Sequence, residues 1–326
     1  MDDFTGLWVP LITPFSNEIV DSTALENLAA DCITAGVDGL VVAGTTGEGF
    51  SLSGEEQLAA FHAVQGVADG IVPVAIGIAG NDTRSVVDTV KRLTAVAPAA
   101  FLISAPHYVR PSQEGIRLHF EAILANTSLP VILCNVPART GVSMSTETIL
   151  TLAEYPQIVA IKQCCDELNE RTGLLGRSSL KVLCGDDSRL LIALASGCHG
   201  AISAAAQIRP DLFVQMFRHL KKEAMIAAAE VFEQLLPLIQ VLYSEPNPGP
   251  IKAALALRQQ ISSAALRLPM TTMSIRGQRD LVQVLRRLDQ FPVTNMRAAS
   301  SDKNMAEQRA SITEHVVKNL RTVEFR

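Results

Sequence analysis

No dense run of lysine and arginine interleaved with aromatic residues occurs in this sequence, and the formal net charge over 326 residues is −5. The electrostatic footprint of a nucleic-acid binder is therefore missing, and nucleic acid is not an expected partner. The N-terminus, Met1-Asp2-Asp3-Phe4, is acidic and has no basic stretch ahead of an apolar one, so a secretory signal is not expected. No uninterrupted apolar run is long enough to span a bilayer, so no membrane partner is expected either. The cysteines (Cys32, Cys134, Cys164, Cys165, Cys184 and Cys198) lack the C-x-x-C spacing of metal sites. They lie in or beside apolar segments and read as reduced core residues, which makes the cytoplasm the expected compartment. No internal repeat is present beyond an alternation of short and long segments.

That alternation is the main signal. Hydrophobic residues make up 48% of the chain and charged ones 19%, enough for a large core in a globular protein. Short β-branched runs occur at Leu7–Ile12, Gly39–Ala43, Val72–Ile78, Ala100–Ser104, Val131–Asn135, Ile158–Lys162, Lys181–Cys184 and Gly200–Ser203. Most are apolar throughout, as strands covered on both faces should be. Helical patterns fall between them, at Thr23–Ala35, Gly54–Val67, Thr83–Ala95, Gln113–Ala125, Ser145–Ala153, Arg189–Ser196 and Pro210–Phe217. Ser53 with Glu56 reads as a capping box. The expected fold class is α/β, a (β/α)8 TIM barrel with a C-terminal helical annex. The expected division is 1–223 for the barrel, 224–295 for the annex and 296–326 for a polar tail. The annex helix Ala224–Leu242 should be followed by a break at Asn247-Pro248-Gly249-Pro250. In the tail, Met305–Leu320 could form an amphipathic helix.

In such a barrel the chemistry sits at the C-terminal strand ends. Lys162 ends one apolar run, where burial would lower its pKa and free an amine to attack carbonyls; alone, it reads more readily as a strand-end lysine pointing into solvent. Gly44-Thr45-Thr46-Gly47-Glu48 offers close backbone approach, hydroxyls and N–H groups for a carboxylate, or is a plain turn. Tyr108 can relay protons or sit at a subunit contact. Arg139 in Asn135-Val136-Pro137-Ala138-Arg139-Thr140-Gly141 can take a carboxylate bidentately or make a structural ion pair. Asp186 and Asp187 read as helix caps. Taken together, these residues point to Schiff-base chemistry on a small 2-oxo acid. Lys162 would condense with the ketone and the iminium would act as electron sink.

Through Gly44–Glu48, Asn135–Gly141, Ile161-Lys162 and Gly185-Asp186-Asp187 the chain resembles the dihydrodipicolinate synthase / N-acetylneuraminate lyase family of class I aldolases, over roughly residues 4–292. Pro111–Gly115 and Arg139-Thr140-Gly141 favour the dihydrodipicolinate synthase branch. The resemblance implies that Lys162 forms a Schiff base with pyruvate and that Thr46 holds the pyruvate carboxylate. It implies that Thr45 and Tyr108 belong to a proton relay, with Tyr108 supplied across a tight dimer interface. Arg139 would receive aspartate semialdehyde, and Gly185 and Ile202 would line the pyruvate pocket. It further implies a homotetramer, a dimer of tight dimers, and no metal or organic cofactor.

Two departures from the family pattern stand out. The family's relay tyrosine is replaced by Cys134, a shorter and poorer hydrogen-bond donor. Losing a positioned acid or base costs roughly 10²–10⁴-fold in rate. A slow synthase, a substitute group or water, and a shift to another 2-oxo acid reaction or to an idle binding protein all stay open. The second departure concerns feedback inhibition. Asn81 is retained, but Gly49, Gln57, Ser85 and His107 stand where the resemblance implies a serine, a histidine, a glutamate and a tyrosine. Without an acid to bind its amine, lysine at millimolar concentration is expected to inhibit weakly or not at all; strong inhibition in a steady-state assay would contradict this.

Overall fold

A computed structural model of the chain describes residues 4–164 and 173–291. The expected Met305–Leu320 helix and Cys165 lie outside the described residues. The strands, in chain order, are β1 (Gly6–Pro10), β2 (Phe15–Ser16), β3 (Ile19–Val20), β4 (Gly39–Val42), β5 (Val74–Ile78), β6 (Ala100–Ser104), β7 (Val131–Asn135), β8 (Ile158–Gln163), β9 (Lys181–Cys184) and β10 (Gly200–Ile202). Eight of them close into a parallel barrel in the order β1-β10-β9-β8-β7-β6-β5-β4. These eight are the runs expected from the sequence, with ends shifted by a residue or two. The expected (β/α)8 barrel is therefore the observed one.

Two short features escaped the sequence pattern. Strands β2 and β3 form an antiparallel hairpin too brief to carry a period. Pro137–Thr140 is one turn of helix inside the stretch read as a loop. The seven expected helices are present, with capping side chains at several starts. Ser53 accepts from the Glu56 N–H while Glu56 accepts from the Ser53 N–H at 2.8 Å, which is the expected capping box.

The barrel strands are mostly apolar because both their faces are covered, with polar residues falling chiefly at their ends. One face lies under the helices. The other fills the barrel with Trp8, Val41, Ala75, Leu102, Ile132, Ala160, Leu183 and Ile202. Trp8 is fully buried, stacks on Phe4, and lies so close to Gly39 that a Cβ there would sit 2.4 Å from the indole. This packing makes a solid floor beneath the C-terminal mouth.

The annex contains the helices Met225–Leu242, Gly249–Leu257 and Ile275–Leu288. Met225–Leu242 is the one described helix long and apolar enough to cross a bilayer by length and composition, which qualifies the expectation of no such run. Here it packs against Pro210–Lys221 and Ile275–Leu288. The break at Asn247–Pro250 leads into a helix whose Lys252 is fully buried and pairs with the fully buried Glu48. The Lys252 ammonium also donates to the Ala265 carbonyl at 2.8 Å and lies 4.1 Å from the centre of the Phe15 ring. Arg267 stacks on the same ring, donates its backbone N–H to Glu48 at 3.1 Å, and grips Glu56 with two bonds of 2.8 and 2.5 Å. Burial pushes the Lys252 ammonium below its ordinary range, and Glu48 pulls the other way.

Breaking one side of a buried pair strands the other charge without water. Lys252→Met is therefore expected to destabilise the protein by about 3–5 kcal/mol in urea unfolding. A loss well under about 1 kcal/mol, the size of an exposed pair, would contradict a buried clasp.

Candidate active site

The mouth of the barrel is built by neighbouring strands in register. Cys134 pairs with Lys162 across β7 and β8, and Lys162 pairs with Leu183 across β8 and β9. Partners in register share a face, so Lys162 and Cys134 stand side by side above the interior layer that includes Leu183 and Ile202. Cys134 is 9% exposed and belongs to that layer. Lys162 reaches past Gly185, the residue just after β9. A Cβ on Gly185 would lie 2.6 Å from the Lys162 Cε, so only glycine lets the lysine stem cross there. The Gly185 N–H donates to the Gln163 carbonyl at 2.8 Å, which holds the crossing in place.

Burial acts on Lys162 as the sequence suggests, since desolvation pushes its ammonium down. Asp187 pulls the other way, as do Cys164 and Cys134 in their thiolate forms, and with all three the net direction is upward. The expectation of a lowered pKa is corrected to that extent: burial lowers it, and the neighbouring acids act against burial. Both thiols are themselves held protonated, because desolvation pushes Cys164 up to about 12 and also raises Cys134. At neutral pH the charge opposite the ammonium is therefore the carboxylate of Asp187.

Asp186 caps the following turn as expected, accepting from the Ser188 N–H at 3.0 Å. Asp187 does not. It is 2% exposed and accepts from the Ala205 N–H at 2.9 Å and from the Tyr243 hydroxyl at 2.8 Å. Desolvation pushes its carboxyl up, against those bonds and Lys162. Tyr243 lies at the end of the annex helix Met225–Leu242, away from any strand end, which is why a search of strand ends misses it.

The Gly44–Glu48 loop follows β4. Thr46 is 4% exposed, and its Oγ1 accepts from the Asn247 amide at 3.0 Å. With its lone pair so engaged, the Thr46 O–H remains free to donate, as a carboxylate requires. The Thr13 hydroxyl holds the Gly47 carbonyl at 2.7 Å, and Glu48 is tied to Lys252. Thr45 is exposed. Tyr243 and Asn247, four residues apart, thus link the end of β9 to the loop after β4.

Arg139 sits on the Pro137–Thr140 turn, exposed, and no side-chain partner for it occurs among the described residues. Its charge reaches both Cys134 and Lys162. The turn is braced by Asn135, which donates to Gln163 at 2.9 Å and accepts from the Met144 N–H at 3.0 Å. Tyr108 is 84% exposed with φ of 68°. Its N–H donates to the Thr140 carbonyl at 3.2 Å, and its hydroxyl has no partner among the described residues. Lys162, Cys134, Gly185 and Ile202 are thus brought together, Thr46 and Arg139 stand on loops at the same mouth, and Tyr108 faces outward. Among the described residues no group of three or more His, Cys, Asp or Glu side chains is arranged to hold a metal ion.

A closed parallel barrel with a lysine, a carboxylate and a hydroxyl-bearing glycine loop at one mouth places the chain among the (β/α)8 barrels whose strand ends carry small-molecule sites. The family model described as "Dihydrodipicolinate synthetase family" matches residues 3–288, and the chain belongs to that family. A 4-hydroxy-tetrahydrodipicolinate synthase of Bacillus subtilis is 37% identical over 276 residues, covering 83% of this chain and 95% of its own. The chloride-inhibited dihydrodipicolinate synthase of Acinetobacter baumannii, solved with pyruvate, superposes with a TM-score of 0.84 at 31% identity, covering 87% of this chain and 99% of its own. A monomeric dihydrodipicolinate synthase variant superposes with a TM-score of 0.86 at 30% identity, covering 88% and 98%.

Proposed function

We propose that this chain is a lyase that condenses pyruvate with aspartate semialdehyde to 4-hydroxy-tetrahydrodipicolinate in lysine biosynthesis. The observation that carries this reading is Lys162, crossing Gly185 at the barrel mouth with Asp187 as its counter-charge, in a chain of this family. Family relatives bear the name of that synthase, and one similar structure holds pyruvate.

In this reading the Lys162 amine attacks C2 of pyruvate and water leaves, giving an iminium. A proton leaves C3, the C–H pair forms the C2=C3 bond, and the C=N pair moves onto nitrogen. The enamine carbon then attacks the aldehyde of the second substrate, whose oxygen takes a proton. The free O–H of Thr46 donates to the pyruvate carboxylate, supported by Asn247. The guanidinium of Arg139, without a side-chain partner among the described residues, receives the carboxylate of aspartate semialdehyde. Thr45 and Tyr108 take part in proton transfer, with Tyr108 reaching a neighbouring subunit. Its exposed ring beside the 52% exposed Val109 supports such a contact. Gly185 and Ile202 line the pyruvate pocket. The iminium is the electron sink, so the chemistry calls on no metal or organic cofactor. The assembly in this reading is a homotetramer of two tight dimers in the cytoplasm, although a family member is known as a monomeric variant.

Cys134 raises a second reading, which the names of the relatives do not favour: a related aldolase acting on another aldehyde or sugar acid. One experiment separates the two. The protein is incubated with pyruvate, reduced with borohydride and mapped by mass, and turnover of aspartate semialdehyde is measured in parallel. The expected result is a reduced pyruvate adduct on Lys162 together with turnover. No adduct would overturn the Schiff-base reading, and an adduct without turnover would favour the second.

A further inference from the structure

The relay position occupied by Cys134 holds a group poorly suited to moving protons. The thiol is buried in the interior layer, burial raises its pKa, and it makes no hydrogen bond among the described residues. A thiol is also a weak donor and acceptor. Yet the same mouth contains a phenol that the sequence reading did not assign. The Tyr243 hydroxyl donates to Asp187 at 2.8 Å, and Asp187 is the carboxylate whose charge reaches Lys162. Asp187 lies two residues beyond Gly185, the glycine over which the Lys162 stem passes.

We propose that Tyr243 and Asp187 form the proton-accepting pair for the Schiff base on Lys162, a phenol delivered by the annex helix in place of one on β7. The inference rests on the pyruvate Schiff base proposed above. When the C3–H bond of the iminium breaks, its electron pair becomes the C2=C3 bond and the C=N pair moves to nitrogen. The proton passes to the phenol oxygen as the phenol's own proton shifts to the Asp187 Oδ2. The pair then holds one proton more, with the phenol neutral and the carboxyl protonated. After carbon–carbon bond formation the proton returns through Tyr243 to the new alkoxide oxygen.

Three observations support this assignment. Asp187 is buried and its pKa is raised by desolvation, so its carboxylate accepts a proton more readily than an exposed one would. The phenol is pushed well above its usual range, first by burial and then by Asp187, so it is protonated at rest with its O–H held on the carboxylate. Tyr243 is 45% exposed as a residue while its hydroxyl is enclosed against Asp187, so the ring spans from the surface of the annex to the carboxylate at the end of β9.

The test separates adduct formation from proton removal. Wild-type protein and Tyr243→Phe are incubated with pyruvate in deuterated buffer. Borohydride trapping on Lys162 is read by mass, and loss of the pyruvate methyl protons is read by NMR. The expected result for Tyr243→Phe is trapping at saturating pyruvate within about twofold of wild type and exchange slowed by roughly 10²-fold or more. Phenylalanine keeps the ring, and trapping itself reports that the barrel and its lysine are intact. Asp187→Asn is expected to slow exchange similarly, and the double variant no further, because the two groups move one proton as a unit. Exchange within about threefold of wild type in Tyr243→Phe, or effects that multiply in the double variant, would overturn the pair while leaving the Schiff base standing. No adduct on the wild-type protein would remove the Schiff base itself and the pair with it.

Discussion

A lysine and a glutamate buried without water are costly, several kcal/mol for each ion, and persist only where their geometry is held from all sides. Lys252 and Glu48 are such a pair, and the mouth of the barrel is organised around it. Glu48 belongs to the glycine-threonine loop after β4, and Lys252 to a helix more than two hundred residues later. The Ala265 carbonyl, the Phe15 ring and the Arg267 N–H complete their surroundings. A pair so enclosed has no second arrangement of comparable energy, so it sets the position of the loop relative to the annex. Asn247, five residues before Lys252, then reaches the Thr46 hydroxyl, and Tyr243 reaches Asp187. The annex is thus more than a cover on one flank of the barrel, since it supplies the second layer of contacts that aims the site.

The electrostatics of the mouth follow from what is charged and what is not. Two thiols flank the lysine, but burial keeps both protonated, and the carboxylate of Asp187 is left as its counter-charge. That carboxylate stays buried because the Ala205 N–H and the Tyr243 hydroxyl satisfy it. Substituting a cysteine on β7 therefore does not leave the lysine without acid–base company. It shifts that company two strands along, across Lys162 to the end of β9, and outward to the annex.

Much of this was legible in the sequence. Eight short runs covered on both faces read as continuous apolar segments, and that pattern cannot be mistaken for a half-exposed sheet. Strand-end residues were legible only as a set, because Lys162 or the Gly-Thr-Thr-Gly run alone reads as well as a solvent-facing lysine or a plain turn, whereas the barrel brings all the strand ends to one mouth. Tyr243, Asn247 and Lys252 were not. Their partners are reached across the fold, and their local pattern is that of an amphipathic helix followed by a proline-glycine break. Asp186 and Asp187 both read as caps because acids between a strand and a helix commonly are, and only the structure shows Asp186 capping while Asp187 turns to Ala205 and Tyr243. The direction of the Lys162 shift needed the neighbours themselves, since burial and nearby charge act in opposite senses.

If the annex aims the carboxylate-binding hydroxyl, the most direct test is the affinity for pyruvate when that aim is lost. Asn247→Ala removes the amide that engages Thr46 and touches neither Lys162 nor Asp187. The dependence of borohydride trapping on pyruvate concentration gives the apparent dissociation constant. The expected result is a rise of about tenfold, because the misaimed Thr46 hydroxyl loses its own hydrogen bond to the pyruvate carboxylate, with trapping at saturation retained. An unchanged constant in a folded Asn247→Ala protein would contradict the central role given to the annex.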